Sequence, residues 1–179
     1  MSDTPGNGQG NGAANPQQQA PLIINGQYIK DLSFESPNSP GILTELQNHQ
    51  PEVNVNVNIS TSKIEGEGTP PNIYEIILEL TSEMKSNGKI GYLVELKYAG
   101  VFTINVPDEH LKPVMLIECP RILFPFARQI VSDTTQNGGF MPLMLQPIDF
   151  AALYQSGTQS DLDKIDTDVA KLVAEKGEA

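Results

Sequence analysis

The sequence predicts an α+β fold: a four-stranded antiparallel sheet followed by one long and one short helix. Three observations carry that expectation. Four segments between residues 28 and 106 alternate apolar and polar side chains with period two, their connections are rich in Gly, Pro and Asn, and helical composition begins only after the last of them. Strands first and helices afterwards is the order of layers in which helices cover one face of an antiparallel sheet.

The first segment, YIKDLSFE, sets Tyr28, Lys30, Leu32 and Phe34 on one side and Asp31, Ser33 and Glu35 on the other, and SPNSPG ends it. In the second, EVNVNVNIS, Val53, Val55, Val57 and Ile59 point one way and three asparagines the other, the pattern of a strand with one buried and one wet face. The third, IYEIILEL, puts Tyr74, Ile76, Leu78 and Leu80 on one face; on the other, Ile73 and Ile77 alternate with Glu75 and Glu79. GEGTPPN supplies the turn before it, and Asn87-Gly88 is the two-residue hairpin signal after it. The fourth sets Tyr92, Val94, Leu96 and Tyr98 opposite Leu93, Glu95 and Lys97, with a bulge expected at Ala99-Gly100 before VFTINV.

The long helix is read from CPRILFPFARQIV, residues 119 to 131. Wound as a helix, its Ile122, Leu123, Phe124, Phe126, Ala127, Ile130 and Val131 cover an arc of roughly 200°, whereas lying on one sheet needs only about 100°. Pro125 forfeits its own helical hydrogen bond, so the helix either begins near Pro125 or begins at Pro120 and kinks; Gly138-Gly139 ends it. Burying its six large side chains is worth on the order of 10 kcal/mol, more than one sheet face accommodates, so part of the helix is expected to be buried by another subunit. Next comes GGFMPLMLQPIDFAALY, in which Phe140, Met141, Leu143, Met144 and Leu145 occupy a connection where polar residues are the norm. They either cap the core or form an adaptable, methionine-containing apolar surface. Asp149 is the predicted cap of the short helix, which holds Phe150, Leu153 and Tyr154.

Flanking this domain, residues 21–155, are a Gly/Asn/Gln-rich tail (1–20) expected to be disordered and an acidic tail (156–179) with a weak amphipathic pattern at Leu162, Ile165, Val169, Leu172 and Val173. A formal charge of −11 disfavours nucleic acid and anionic lipid as partners and favours basic or unfolded polypeptide. No apolar run reaches the length of a membrane span, the opening MSDTPGNGQG does not read as a secretory signal, and a lone Cys119 forms no intrachain disulfide; a cytoplasmic protein is expected.

Catalytic and metal-binding chemistry find little support. His49 and His110 are the two histidines, and a Cys119 nucleophile with His110 lacks a third group to orient the imidazole. A metal site would need a second Cys or a His pair at helical spacing, and Gly88-Lys89 has no upstream glycine at phosphate-loop spacing. Asp31 and Glu35, roughly 13 Å apart on one strand face, are too distant for an acid/base pair but suit two points of an acidic docking strip. No cofactor is expected, and the chain is read as a non-enzyme.

YIKDLSFESPNSP, QPEVNVNVNIS, YLVELKYAGVFTI, CPRILFPFARQIV and PLMLQPIDFAALY, in this order between about Gln27 and Tyr154, resemble the SecB family of protein-export chaperones. The resemblance implies a dimer of dimers and an ATP-independent cytoplasmic holdase that keeps precursor proteins unfolded and delivers them to the translocation ATPase SecA. The family's acidic docking motif falls on Asp31, Glu35 and Glu95, with Leu93 as apolar companion; the docking segment of SecA is basic and itself holds zinc. Client contacts are implied at Tyr92, Phe126, Phe140, Leu143 and Phe150. Joining of dimers through the long helix is implied at Ile122, Leu123, Ile130 and Val131. His49 stands where some members carry tryptophan. The competing expectation is a structural or adaptor oligomer that binds one folded partner.

Overall fold

A computed structural model describes residues 20–157. The elements run β1 (Leu22–Glu35), α1 (Gly41–Glu45), β2 (Glu52–Lys63), β3 (Ile73–Ser86), β4 (Lys89–Ile104), α2 (Asp108–Pro113), a π-helical turn (Val114–Glu118), α3 (Cys119–Asn137) and α4 (Phe150–Ser156). The strands form one antiparallel sheet in the order β1-β4-β3-β2, and the helices follow it in the chain apart from short α1. This is the α+β architecture read from the alternation. The amphipathic pattern from Leu162 to Val173 and residues 1–19 lie outside the described residues.

Alternation is converted into layers by register. Val57 pairs Leu80, which pairs Leu96, and Ile59 pairs Leu78, which pairs Tyr98, so the inner face is a continuous apolar floor. The β3–β4 hairpin turns through Asn87 and Gly88, both at positive φ, as a two-residue turn between twisted strands requires.

Two expectations about register are corrected. The bulge is not at Ala99-Gly100, which stay in step with Ile77 and Ile76; β4 shifts instead between the Lys85–Ile90 and Met84–Tyr92 pairs, leaving Gly91 as the extra residue. A side-chain Cβ there would lie 2.3 Å from Met84 Cε, and its carbonyl accepts a 2.7 Å hydrogen bond from Ser36 Oγ. Gly100 is small for a packing reason: a Cβ would come within 2.5 Å of the Phe102 ring and 2.9 Å of Leu123. β1 has two irregularities of its own against β4, one between Ile24 and Gly26 and one between Ile29 and Asp31. One unpaired residue inverts the alternation, so Tyr28, opposite Ala99, shares the outer face with Asp31 rather than the inner face with Leu32 and Phe34. Tyr28 and Lys30 there both hydrogen-bond the Glu75 carboxylate, the lysine at 2.8 Å, and so tie the edge strand to β3 across β4. Lys30 first, and Tyr28 after it, hold the Glu75 carboxyl below the usual carboxylate range.

Helical structure begins earlier than the sequence suggested, at Asp108, because the wide turn at Val114–Glu118 breaks the 3.6-residue period. Of the two positions considered for the long helix, the earlier holds: α3 carries Pro120 in its first turn and continues through Pro125. Pro125 is exposed, on the side where the carbonyl it leaves unpaired can be hydrated. Cys119, Leu123, Phe124, Ala127, Val131 and Thr135 are buried along α3, and Leu123 reaches the floor beside Gly100. Asp149 caps α4 as expected, accepting from the amides of Ala151 and Ala152 at 3.1 and 3.0 Å. It delivers Phe150 edge-on to Phe124, ring centres 6.0 Å apart.

Candidate functional site

At the hairpin end of the sheet, one row crosses three strands on the inner face: Val53 pairs Met84, and Met84 pairs Tyr92. The second pairing depends on the Gly91 bulge, because an uninterrupted hairpin would set Met84 opposite Gly91. The segment after α1 brings Leu46 and Pro51 to one side of this row, and the connection between α3 and α4 brings Phe140, Met141, Pro142 and Leu143 to the other. The result is an apolar groove of about 230 Å³.

Two of its lining rings, Tyr92 and Phe140, belong to an aromatic cluster completed by Phe34. The Tyr92 ring lies 6.1 Å from Phe34, stacked, and 5.1 Å from Phe140, edge-on, and Phe34 and Phe140 are 6.2 Å apart. Such geometry fixes ring orientations beyond what area burial does. Burial pushes the Tyr92 phenol above its ordinary value, so the ring presents a neutral surface. The connecting segment, although it has no regular secondary structure, is anchored. Leu143 N donates to Thr135 Oγ1 at 2.9 Å, and that buried hydroxyl donates in turn toward the carbonyls of Ser132 and Val131 at 2.9 and 3.1 Å. Phe140 N bonds the Thr135 carbonyl at 3.1 Å. Anchored at both points, the segment buries Phe140 and Leu145 and leaves Met141 89% and Met144 57% exposed. Both expectations for the connection hold together: it caps the core and it presents an apolar surface. On the other side, Lys89 and Glu45 form an ion pair that ties α1 to the hairpin.

Of the side chains expected to contact clients, the structure gathers Tyr92, Phe140 and Leu143 in this groove and leaves two elsewhere. Phe126 is 51% exposed on α3, its ring 6.2 Å from that of Tyr98. Phe150 is 1% exposed and packed on Phe124, a core residue with no surface to offer. Leu46, Pro51, Val53, Met84 and Pro142 were missed, whereas Met141 belongs to the apolar surface read on the connection; for Val53 and Met84 the available signal was the alternation that sets them on the inner face with Val55 and Leu80. His49 is exposed, two residues before Pro51, and does not line the groove.

Among the helix residues expected at a subunit boundary, Leu123 (0% exposed) and Val131 are already buried within the chain, so neither has area left for a neighbour. The apolar arc is covered over most of its width by the sheet and α4. What remains is a stripe, Ile122, Phe126 and Ile130, half-buried or exposed at four-residue spacing. It adjoins the β1 side of the sheet, where Tyr98 pairs Ile29, and Ile29 and Leu32 are themselves exposed.

The outer face carries the acidic positions. Glu35 pairs Leu93, Ser33 pairs Glu95, and Asp31 pairs Lys97, so Asp31, Glu35, Glu95 and Leu93 share one surface. Among the described residues the neighbouring acids are occupied: Glu75 by Lys30, Glu79 by Lys97 at 3.6 Å, Glu83 by Lys85 at 2.5 Å. Asp31, Glu35 and Glu95 have no such ion pair among the described residues and are exposed. Cys119, the nucleophile of the enzymatic alternative, is buried, its thiol pushed up to about 12 by desolvation and then by Glu118. At neutral pH it supplies no thiolate. Among the described residues, no helix is long and apolar enough to cross a membrane.

Comparison with known proteins converges on one family. The family model described as preprotein translocase subunit SecB matches residues 15–161. The protein-export protein SecB of Rhodospirillum rubrum is 53% identical over 142 residues, covering 79% of this chain and 85% of the relative. That of Paramagnetospirillum magneticum is 48% identical over 145 residues, covering 80% and 90%. Among solved structures, a Mycobacterium tuberculosis SecB-like chaperone, in complex with a peptide from an antitoxin, superposes with a TM-score of 0.54 at 12% identity, covering 71% of this chain and 90% of that one, a likeness of fold. The chain belongs to the SecB family of protein-export chaperones.

Proposed function

We propose that the chain is a cytoplasmic, ATP-independent holdase that takes extended apolar segments of unfolded precursor proteins into the groove at Tyr92, Phe140 and Leu143 and delivers them to SecA. The groove carries this reading: a water-facing apolar cleft lined by the Tyr92 and Phe140 rings, with Phe34 packed against both, binds side chains by area rather than by sequence, which suits clients that share only their unfolded state. Holding needs no chemical step, because binding that outpaces client folding is enough.

The outer face is the proposed docking site for the basic segment of SecA. Asp31, Glu35 and Glu95 are exposed carboxylates without an ion pair among the described residues, flanking the apolar Leu93, and a cationic partner meets them without first breaking an existing pair. The groove opens on the inner side of the sheet, so client and ATPase can be held together. Assembly as a dimer of dimers is proposed through the stripe Ile122, Phe126 and Ile130 and the adjoining edge of β1.

The test is suppression of aggregation of a slowly folding precursor, measured with SecA binding on the same preparations. Wild type protects and binds; Glu95→Lys keeps protection and weakens SecA binding by roughly tenfold at low salt, the size expected for reversing one charge in a complementary interface. Equal loss of both activities rejects the division of surfaces. Absence of protection in the wild type favours an adaptor for one folded partner.

A further inference from the structure

The groove's wall includes methionines from two separate elements, and the sulfurs on and beside it differ sharply in access. Met84, from β3, is buried beneath the Gly91 bulge and beside Tyr92. Met144 is exposed, but its sulfur accepts a hydrogen bond from Ser132 Oγ at 3.4 Å. Met141 lines the groove while remaining 89% exposed, carried on a segment whose fixed points are its neighbours Phe140 and Leu143. A thioether in that position is at once part of the apolar binding surface and open to oxidants in solution.

We propose that Met141 is a reversible oxidation site through which peroxide lowers the groove's affinity for apolar chain, an inference that rests on the groove being the client site. Hydrogen peroxide transfers one oxygen atom to Sδ: the peroxide O–O bond breaks, an S–O bond forms, the sulfur is oxidised by two electrons, and the second oxygen leaves as water. Methionine sulfoxide reductase, using a thiol as reductant, reverses it. The sulfoxide has a strong hydrogen-bond acceptor where the thioether had none. Covering the wall with a client would strip water from that oxygen, and the nearby amides of Phe140 and Leu143 are already committed to Thr135. The order of reaction follows access: Met141 first, Met144 later because Ser132 engages its sulfur, Met84 last.

The experiment treats the full chain with graded hydrogen peroxide. Oxidation at each methionine is read by peptide mass spectrometry, and affinity for a permanently unfolded, apolar fluorescent polypeptide by anisotropy. Selective oxidation of Met141 is expected to weaken binding by on the order of tenfold with the circular dichroism spectrum unchanged, and reductase treatment to restore it. Met141→Leu should have an affinity that peroxide over the same range does not change, while Met141→Gln should bind weakly without treatment. If Met141 is fully oxidised and affinity is unchanged, the inference is overturned while the groove reading stands. If the untreated protein does not bind the polypeptide, the groove reading falls and the inference with it.

Discussion

Replacing Phe140 by alanine removes the ring at which the groove and the core meet. Phe140 is buried against Phe34 and Tyr92, at 6.2 and 5.1 Å between ring centres, and forms part of the groove wall. A fully enclosed Phe→Ala change costs about 3–5 kcal/mol. Here the space vacated adjoins an open groove of about 230 Å³, so water can enter and less dry cavity remains. A loss of roughly 2–4 kcal/mol is therefore expected, including about 0.5–1.5 kcal/mol for each ring pair broken. Chemical denaturation monitored by circular dichroism measures it, and the affinity for an unfolded apolar polypeptide is measured below the transition. Affinity should fall by roughly tenfold or more, because the ring's face is part of the surface a client covers. Phe140→Leu keeps the apolar volume and loses the ring geometry, so it should recover most of the affinity and part of the stability. If Phe140→Ala loses the stability yet binds client as tightly as wild type, the ring serves the core alone and the groove is not where clients sit.

Other outcomes follow from the same geometry. Ile130→Asp places a charge in the exposed stripe of α3 and should leave the subunit folded while light scattering reports a smaller assembly; unchanged mass would show that the stripe is not an interface. Leu123→Ala, by contrast, acts within the subunit and should cost about 3–5 kcal/mol in denaturation without altering mass. Glu75 has a carboxyl pKa lowered by Lys30 and Tyr28, so the stability it lends to β1 is complete above the ordinary carboxylate value and is lost as pH falls through the lowered one. Protection factors for the amides around Tyr28 and Ile29, with the intrinsic pH dependence of exchange divided out, should fall on acidification through that window in wild type and show no such step in Glu75→Gln.

Much of the fold was legible because it rests on local rules. Val53 to Ile59 alternate so regularly that only a half-buried strand suits them, Asn87-Gly88 tolerate the positive φ that closes a two-residue hairpin, and Asp149 stands where two free amides need an acceptor. Among the site residues, Tyr92, Phe140 and Leu143 converge on one groove, and Asp31, Glu35, Leu93 and Glu95 share one sheet face. Phe126 and Phe150 show the limit: each is an apolar ring on a helix, and nothing near them in the chain tells that one meets water and the other meets Phe124.

What the sequence determined by itself was which residues prefer a strand, a turn, a cap or a buried face, since those preferences act over a few bonds. The tertiary structure decided how the strands step past one another and which buried faces are satisfied within one subunit. The single residues left over at Gly91 and near Lys30 realign whole strands, and their positions answer to distant partners: Met84 and Ser36 for the first, Glu75 for the second. The groove exists because those long-range alignments bring Val53, Met84, Tyr92 and Phe140 together, and side chains so far apart along the chain acquire a common surface only after the sheet has closed its register.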